Sequence, residues 1–166
     1  MDIYGKDRQP TVRTVVREEA RMAEGEYLLF VLGIIQNARG EYLIVQRAED
    51  KSYAPLCWEV PGGGVSAGES SAKAIVREMH EEVGLDVSAQ LAEPFHSYES
   101  VDVARGDNYF VDMYRFVLDI SKEEVVLQEE EALDCAFVTW DDICALAGQG
   151  KFLHFERLQT ALGYDA

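Results

Sequence analysis

One segment of this chain has a period that admits a single local structure. Ala72, Ile75, Val76, Met79 and Val83 recur at helical spacing and form one apolar stripe, and Gly84 stands where a left-handed residue would end the helix. A helix with one apolar stripe has to bury it against another layer, so the rest of the chain must supply that layer. The opposite face is unusual. Arg77, Glu78, Glu81 and Glu82, in the run REMHEEVGL, fall outside the stripe. Residues three and four apart are neighbours on a helix, so Glu78 faces both Glu81 and Glu82, and each like-charge pair costs roughly 0.2–0.5 kcal/mol. Some other interaction must offset the repulsion.

The flanking segments read mostly as strands. YLLFVLGIIQ, from Tyr27 to Gln36, is apolar and bounded by turn residues, which predicts a buried strand. EYLIVQR, from Glu41 to Arg47, follows a short break and suits a hairpin partner. Residues 51–69, KSYAPLCWEVPGGGVSAGE, hold two prolines and four glycines and predict a loop that lets backbone come close to something. Beyond the helix, SAQLAEPFHSYES and DNYFVDMYRFVLDI suggest two longer strands, with a turn at Arg105–Asn108 between them. Asp134–Trp140 suggests another strand, Glu123–Glu131 an exposed acidic loop, and 141–146 and 152–162 have helical spacing. No linker or repeat divides the 166 residues, which predicts one domain: an N-terminal extension over 1–26, a core over 27–147 and a C-terminal helix over 148–166. The element order is α+β, with sheets expected around a central helix pair.

A net charge of -16 would repel a polynucleotide backbone, so DNA and RNA polymers are not expected partners. It does not exclude a small phosphate compound, because a divalent cation held by carboxylates reverses the local field. Cys57, Cys135 and Cys144 lack zinc-site spacing and are odd in number, which suggests ordinary thiols in a reducing compartment. The longest apolar run is too short to cross a bilayer, so a soluble cytoplasmic protein with no membrane partner is expected. A homodimer is admitted.

A hard divalent cation such as Mg²⁺ prefers oxygen ligands, usually one or two carboxylates with waters and substrate phosphate oxygens. Glu78, Glu81 and Glu82 supply that donor set, and the glycine-rich loop lets backbone approach the same point. The alternative for the glutamates is a solvated helix face, and for Arg77 a simple i,i+4 partner of Glu81. Arg47 ends its strand with a fork suited to phosphate oxygens, or is a surface arginine. Tyr109, Phe110 and Tyr114 could stack a base, although strand aromatics are more often core.

Read from Gly63, the sequence gives five residues to Glu69, seven more to Arg77-Glu78-Met79, then Glu81-Glu82 and Gly84-Leu85. This resembles the Nudix box, matched at every defining position, and the similarity extends from about Tyr27 to about Ala147. The resemblance implies an α/β/α sandwich with a mixed sheet and a central catalytic helix. It also implies a Mg²⁺- or Mn²⁺-dependent hydrolase that cleaves a diphosphate linkage in a nucleoside diphosphate joined to another group, a small-molecule substrate. Glu78, Glu81, Glu82 and the backbone at Gly63 would hold metal, Arg77 would orient Glu78 and pair with Glu69, and Arg47 would lie near the phosphates. The general base would be a helix glutamate or a loop residue, of which Glu131, in the run Glu129-Glu130-Glu131, is the choice. His80 is left outside the site.

Two rival readings remain. Residues 25–48 are similar to the isopentenyl diphosphate isomerase branch of the same superfamily, yet Cys57 precedes Trp58 where that branch places its cysteine after the tryptophan, and Leu28 stands where a histidine ligand belongs. A non-catalytic binding or regulatory module is the other, and an intact box weighs against it.

Overall fold

The computed structural model describes residues 1–128 and 130–164. Glu129, within the segment read as an acidic loop, and residues 165–166 of the C-terminal segment lie outside the described residues. The elements that matter here are β1 Asp2–Tyr4, β2 Pro10–Thr14, β3 Leu28–Gln36, β4 Tyr42–Arg47, β5 Trp58–Glu59, β6 Gly62–Gly64, α1 Ser71–Val83, β7 His96–Ser100, β8 Tyr109–Val117, β9 Ala132–Val138, α2 Trp140–Gly148 and α3 Phe155–Leu162.

β3 is the axis of a mixed sheet. Along one edge it pairs in parallel with β8, from Leu28 opposite Tyr109 to Gln36 opposite Val117. Parallel neighbours need a long crossover, which the segment containing α1 supplies. The other edge of β3 is shared by β4, which meets it at Gln36 opposite Tyr42, and by β6. β4 has the same divided edge, pairing there with β3 and β5 while β9 covers its far side. The strands β3 and β4 therefore diverge like a fork, and the glycine-rich segment 58–64 fills the gap between its prongs.

Side chains of β3 alternate between two buried faces, which is why its sequence is an unbroken apolar run. Leu29, Val31 and Ile35 meet Ile75, Met79 and Val83 of α1 together with Leu43, Val45, Phe110 and Phe116. Ile34 on the reverse face joins Ile44, Met113, Ile143 of α2 and Leu158 of α3. Burying each of these large side chains is worth roughly 1.5–3 kcal/mol. At Gly33 an added Cβ would lie 2.4 Å from Met79 Sδ, so the helix settles directly on the strand there. The layers are α1, sheet, then α2 and α3: the helices flank the sheet, and the expectation of sheets around a central helix pair is inverted. The mixed-sheet sandwich implied by the family resemblance holds.

Within residues 1–26, β1 and β2 pair as a ribbon joined just ahead of β3 by reciprocal Tyr4–Tyr27 main-chain hydrogen bonds of 2.8 and 2.9 Å, and a 3₁₀ turn follows at Arg17–Glu19. The long strand expected from Ser88 shrinks to His96–Ser100, preceded by a 3₁₀ turn at Ser88–Gln90. Pro94 has no ladder donor, and beyond it the Gln90 amide takes over β8's edge, donating to Val117 O at 2.6 Å and accepting from Val117 N–H at 2.9 Å. β9 ends two residues earlier than expected. Thr139 and Asp142 form a capping box, which makes Trp140 the first residue of α2.

Candidate active site

The register of α1 is pinned at both ends. Ser70 Oγ accepts from Lys73 N–H at the start. At the end Gly84, with φ +70°, lets Leu85 N–H reach back to Met79 O at 3.0 Å, a closure that a residue with a Cβ would strain. The apolar stripe is buried, with Ala74 added, while Ala72 and Val76 are half-buried. One residue departs from the expected pattern: Glu82, placed outside the stripe by its period, is 9% exposed. The glycine strand in the fork covers that flank of the helix.

Arg77 organises the acidic face. Its Nε and Nη2 donate to the two oxygens of Glu69 at 3.0 and 2.9 Å, a fork-to-fork pair. Nη1 reaches Glu78 Oε1 at 2.8 Å and Glu81 Oε2 at 3.0 Å, and Nη2 also donates to Gly64 O at 3.0 Å. The Arg77 hydrogen bonds hold the Glu69 carboxyl below the usual carboxylate range, and those carboxylates together raise Arg77. One guanidinium thus offsets part of the like-charge repulsion along the helix.

The main chain of β6 completes the site. Val65 N–H bonds Leu29 O and Gly33 N–H bonds Pro61 O, so by the alternation of an antiparallel ladder Gly63 directs its N–H and C=O toward Val31. The polar groups that meet the glutamates belong to the glycines on either side: Gly62 N–H donates to Glu82 Oε2 at 2.8 Å, and Gly64 O takes Arg77. Gly63 contributes space instead. An added Cβ there would lie 2.5 Å from the Glu78 carboxyl, so that carboxyl rests on bare backbone.

Burial pushes Glu82 up to about 8; the Gly62 N–H opposes this, and the nearby Glu59, Glu78 and Glu131 carboxylates add to it. Burial also raises Glu78, against the pull of Arg77. Among the described residues no three acidic, histidine or cysteine side chains already converge as a metal cage, because Arg77 engages Glu78 and Glu81 while Gly62 engages Glu82. The donor chemistry still fits a hard divalent cation. All three are oxygen donors, one or two carboxylates suffice for Mg²⁺, and a cation would relieve the charge that burial disfavours on Glu78 and Glu82.

The other expected site residues lie around this cluster in different ways. Glu131, half-exposed just before β9, is ion-paired with Lys51 and lies near enough to act on Glu82. Arg47 is engaged: Nη1 bonds Glu59 Oε1 at 2.6 Å and Nε bonds Tyr53 O at 3.0 Å. Glu59 is a member of the acidic group that sequence reasoning passed over, and its only signal was its place in Trp58-Glu59-Val60-Pro61-Gly62. The aromatics considered for base stacking are taken up by packing. Phe110 stacks on Tyr27 at 4.3 Å, Tyr109 meets Phe30 edge-on, and buried Tyr114 hydrogen-bonds Ser71.

Known proteins resemble this chain in sequence and in fold. The NUDIX domain profile matches residues 27–158. The chain is 32% identical over 158 residues to the uncharacterized Nudix hydrolase lmo0368 of Listeria monocytogenes, covering 93% of this chain and 88% of that protein. Its fold is similar to DR0079 of Deinococcus radiodurans, with a TM-score of 0.73 at 21% identity over 90% of this chain and 89% of that one. It is also similar to part of a bifunctional NMN adenylyltransferase/ADP ribose pyrophosphatase of Francisella tularensis complexed with AMP and a manganese ion, with a TM-score of 0.66 at 21% identity over 83% of this chain and 42% of that one. With the profile spanning most of the chain and a relative above 30% identity along nearly all of it, the protein belongs to the Nudix hydrolase family.

Proposed function

We propose that the protein hydrolyses the diphosphate linkage of a nucleoside diphosphate joined to another moiety, with Mg²⁺ or Mn²⁺ as cofactor. The observation that carries this reading is the acidic face of α1 laid against the bare backbone of Gly62–Gly64, with Glu78 and Glu81 held by Arg77 and Glu82 by the Gly62 N–H. The nucleotide and manganese bound by the Francisella tularensis neighbour support both the substrate class and the cofactor.

In this reading Glu78, Glu81 and Glu82 hold the metal, which when bound neutralises phosphate charge and makes water a better nucleophile. Arg77 holds Glu78 and Glu81 on one flank of the helix and supplies charge compensation that a bound cation would in part take over. The Gly62 N–H orients Glu82. In this reading Glu131, whose charge acts on Glu82, accepts the proton of the attacking water, and its ion pair with Lys51 sets its direction.

The test is a panel of ADP-sugars, CDP-alcohols, dinucleoside polyphosphates and oxidised nucleoside triphosphates, assayed with and without Mg²⁺ or Mn²⁺. Metal-dependent release of a nucleoside monophosphate from at least one class is expected. Metal-independent turnover, or none with any class, would defeat the proposal.

A further inference from the structure

Among the described residues four that are not glycine adopt left-handed backbone: Arg8, Ala54, Leu56 and His154. Two of them, Ala54 at φ +45° and Leu56 at φ +63°, fall in segment 48–57 between β4 and β5. A side chain with a Cβ is strained there, and such conformations persist only where the surroundings impose them, clustering at active sites, ligand clamps and switch regions.

Arg47 imposes this one. Its N–H donates to Cys57 O at 2.9 Å, its carbonyl accepts Leu56 N–H at 3.2 Å, its Nε donates to Tyr53 O, and its Nη1 holds Glu59. Gln46 adds a bond to Leu56 O at 3.0 Å, and on the far side Lys51 reaches Glu131. The segment is therefore tied at one end to the fork and at the other to the edge of the carboxylate group. This rigid shape serves no burial of its largest apolar side chains: Tyr53 is 64% exposed and Leu56 42% exposed. A single exposed aromatic is unremarkable on a protein surface. Here the exposed aromatic is borne on strained backbone whose anchor, Arg47, also bonds Glu59, a carboxylate close enough to act on Glu82.

We propose that segment 48–57 is a platform for the planar part of the substrate, with the Tyr53 ring stacking the nucleobase, and that Arg47 is the positioning residue that holds the platform. The inference rests on the diphosphate-hydrolase reading for the class of ligand. It gives Arg47 a different task from phosphate binding, because its Nη1 and Nε donors are directed to Glu59 and Tyr53. Every base has a π face, so a stacking platform favours nucleotides over diphosphates that lack a base.

Calorimetric titration of ADP and of inorganic pyrophosphate, each with Mg²⁺, separates the two tasks. Tyr53→Ala should weaken ADP binding about tenfold, the loss expected for one base–aromatic stack, and leave pyrophosphate within about twofold. Tyr53→Phe, which keeps the ring, should stay within about twofold for both. Arg47→Lys keeps a cation for Glu59 but loses the Nε donor to Tyr53 O, and should weaken ADP several-fold with pyrophosphate little changed. Equal weakening of both ligands in Arg47→Lys would return Arg47 to the phosphates and overturn its assignment. Wild-type ADP affinity in Tyr53→Ala, or no ADP binding by the unaltered protein, would overturn the platform. If the unaltered protein binds ADP yet hydrolyses no member of the substrate panel, the platform stands and the hydrolase reading falls.

Discussion

The Glu82 carboxylate, buried on α1, accepts a 2.8 Å hydrogen bond from the main-chain N–H of Gly62, twenty residues away in a strand that fills a fork in the sheet. That contact orients an acid whose charge is disfavoured by its burial, and the Gly62 N–H offsets part of that penalty.

With its folded value raised from 4.5 to about 8, Glu82 holds a proton in the native state that the unfolded chain has lost between those values. Its contribution to stability is therefore full below pH 4.5 and is lost as pH rises through about 8, at no more than about 1.4 kcal/mol per pH unit. Glu82→Gln keeps an acceptor for Gly62 and carries no charge. Metal-free melting curves should show the variant losing less stability than the parent between pH 5 and 8, with turnover abolished. A variant whose melting temperature tracks the parent across that range would show that Glu82 titrates normally.

Added Mg²⁺ should reverse the trend, since a cation bound only by the native state stabilises it according to occupancy and binds best to ionised carboxylates. The gain in melting temperature is expected to be larger near pH 7.5 than near pH 5. Glu81→Gln should shrink both this gain and the rate. Glu131→Gln, if Glu131 is the base, should lower kcat at least tenfold and leave the Mg²⁺ gain intact. A lost gain in Glu131→Gln would make Glu131 a metal ligand, and an unchanged kcat would remove it from the chemistry.

Gly63→Ala tests the bare backbone. Its Cβ would lie 2.5 Å from the Glu78 carboxyl, so the carboxyl must move. Overpacking of this kind costs about 1–3 kcal/mol, and turnover should fall at least tenfold in a protein that still melts cooperatively. Wild-type kinetics would mean that the position of Glu78 is unimportant.

Arg77→Lys keeps the charge and loses the fork that serves Glu69, Glu78, Glu81 and Gly64 O together. Losing a partly buried fork pair should cost roughly 1.5–3 kcal/mol. On the proposed reading, in which the fork directs metal-holding carboxylates and does not grip substrate, the rate should fall more in kcat than KM rises. A change confined to KM would point to direct substrate contact.

Local pattern determined much of this protein without help from the rest of the chain. The 3.6-residue period of Ala72 to Val83, the stop at Gly84 and the apolar runs of β3 and β4 each depend on neighbours within a few residues, so they were legible from sequence. The charged face of α1 was legible for the same reason, and the spacing from Gly63 to Leu85 carried the family. Only the tertiary structure decided which flank of that helix is wet. Period alone put Glu82 outside the apolar stripe, but the fork between β3 and β4 lays the glycine strand over it, and that fork arises from pairings remote in sequence. The same holds for Arg47 with Glu59 and for Lys51 with Glu131, which are 12 and 80 positions apart. Side-chain periodicity reports the direction in which a residue points from its own element, and burial depends on what the rest of the chain places there.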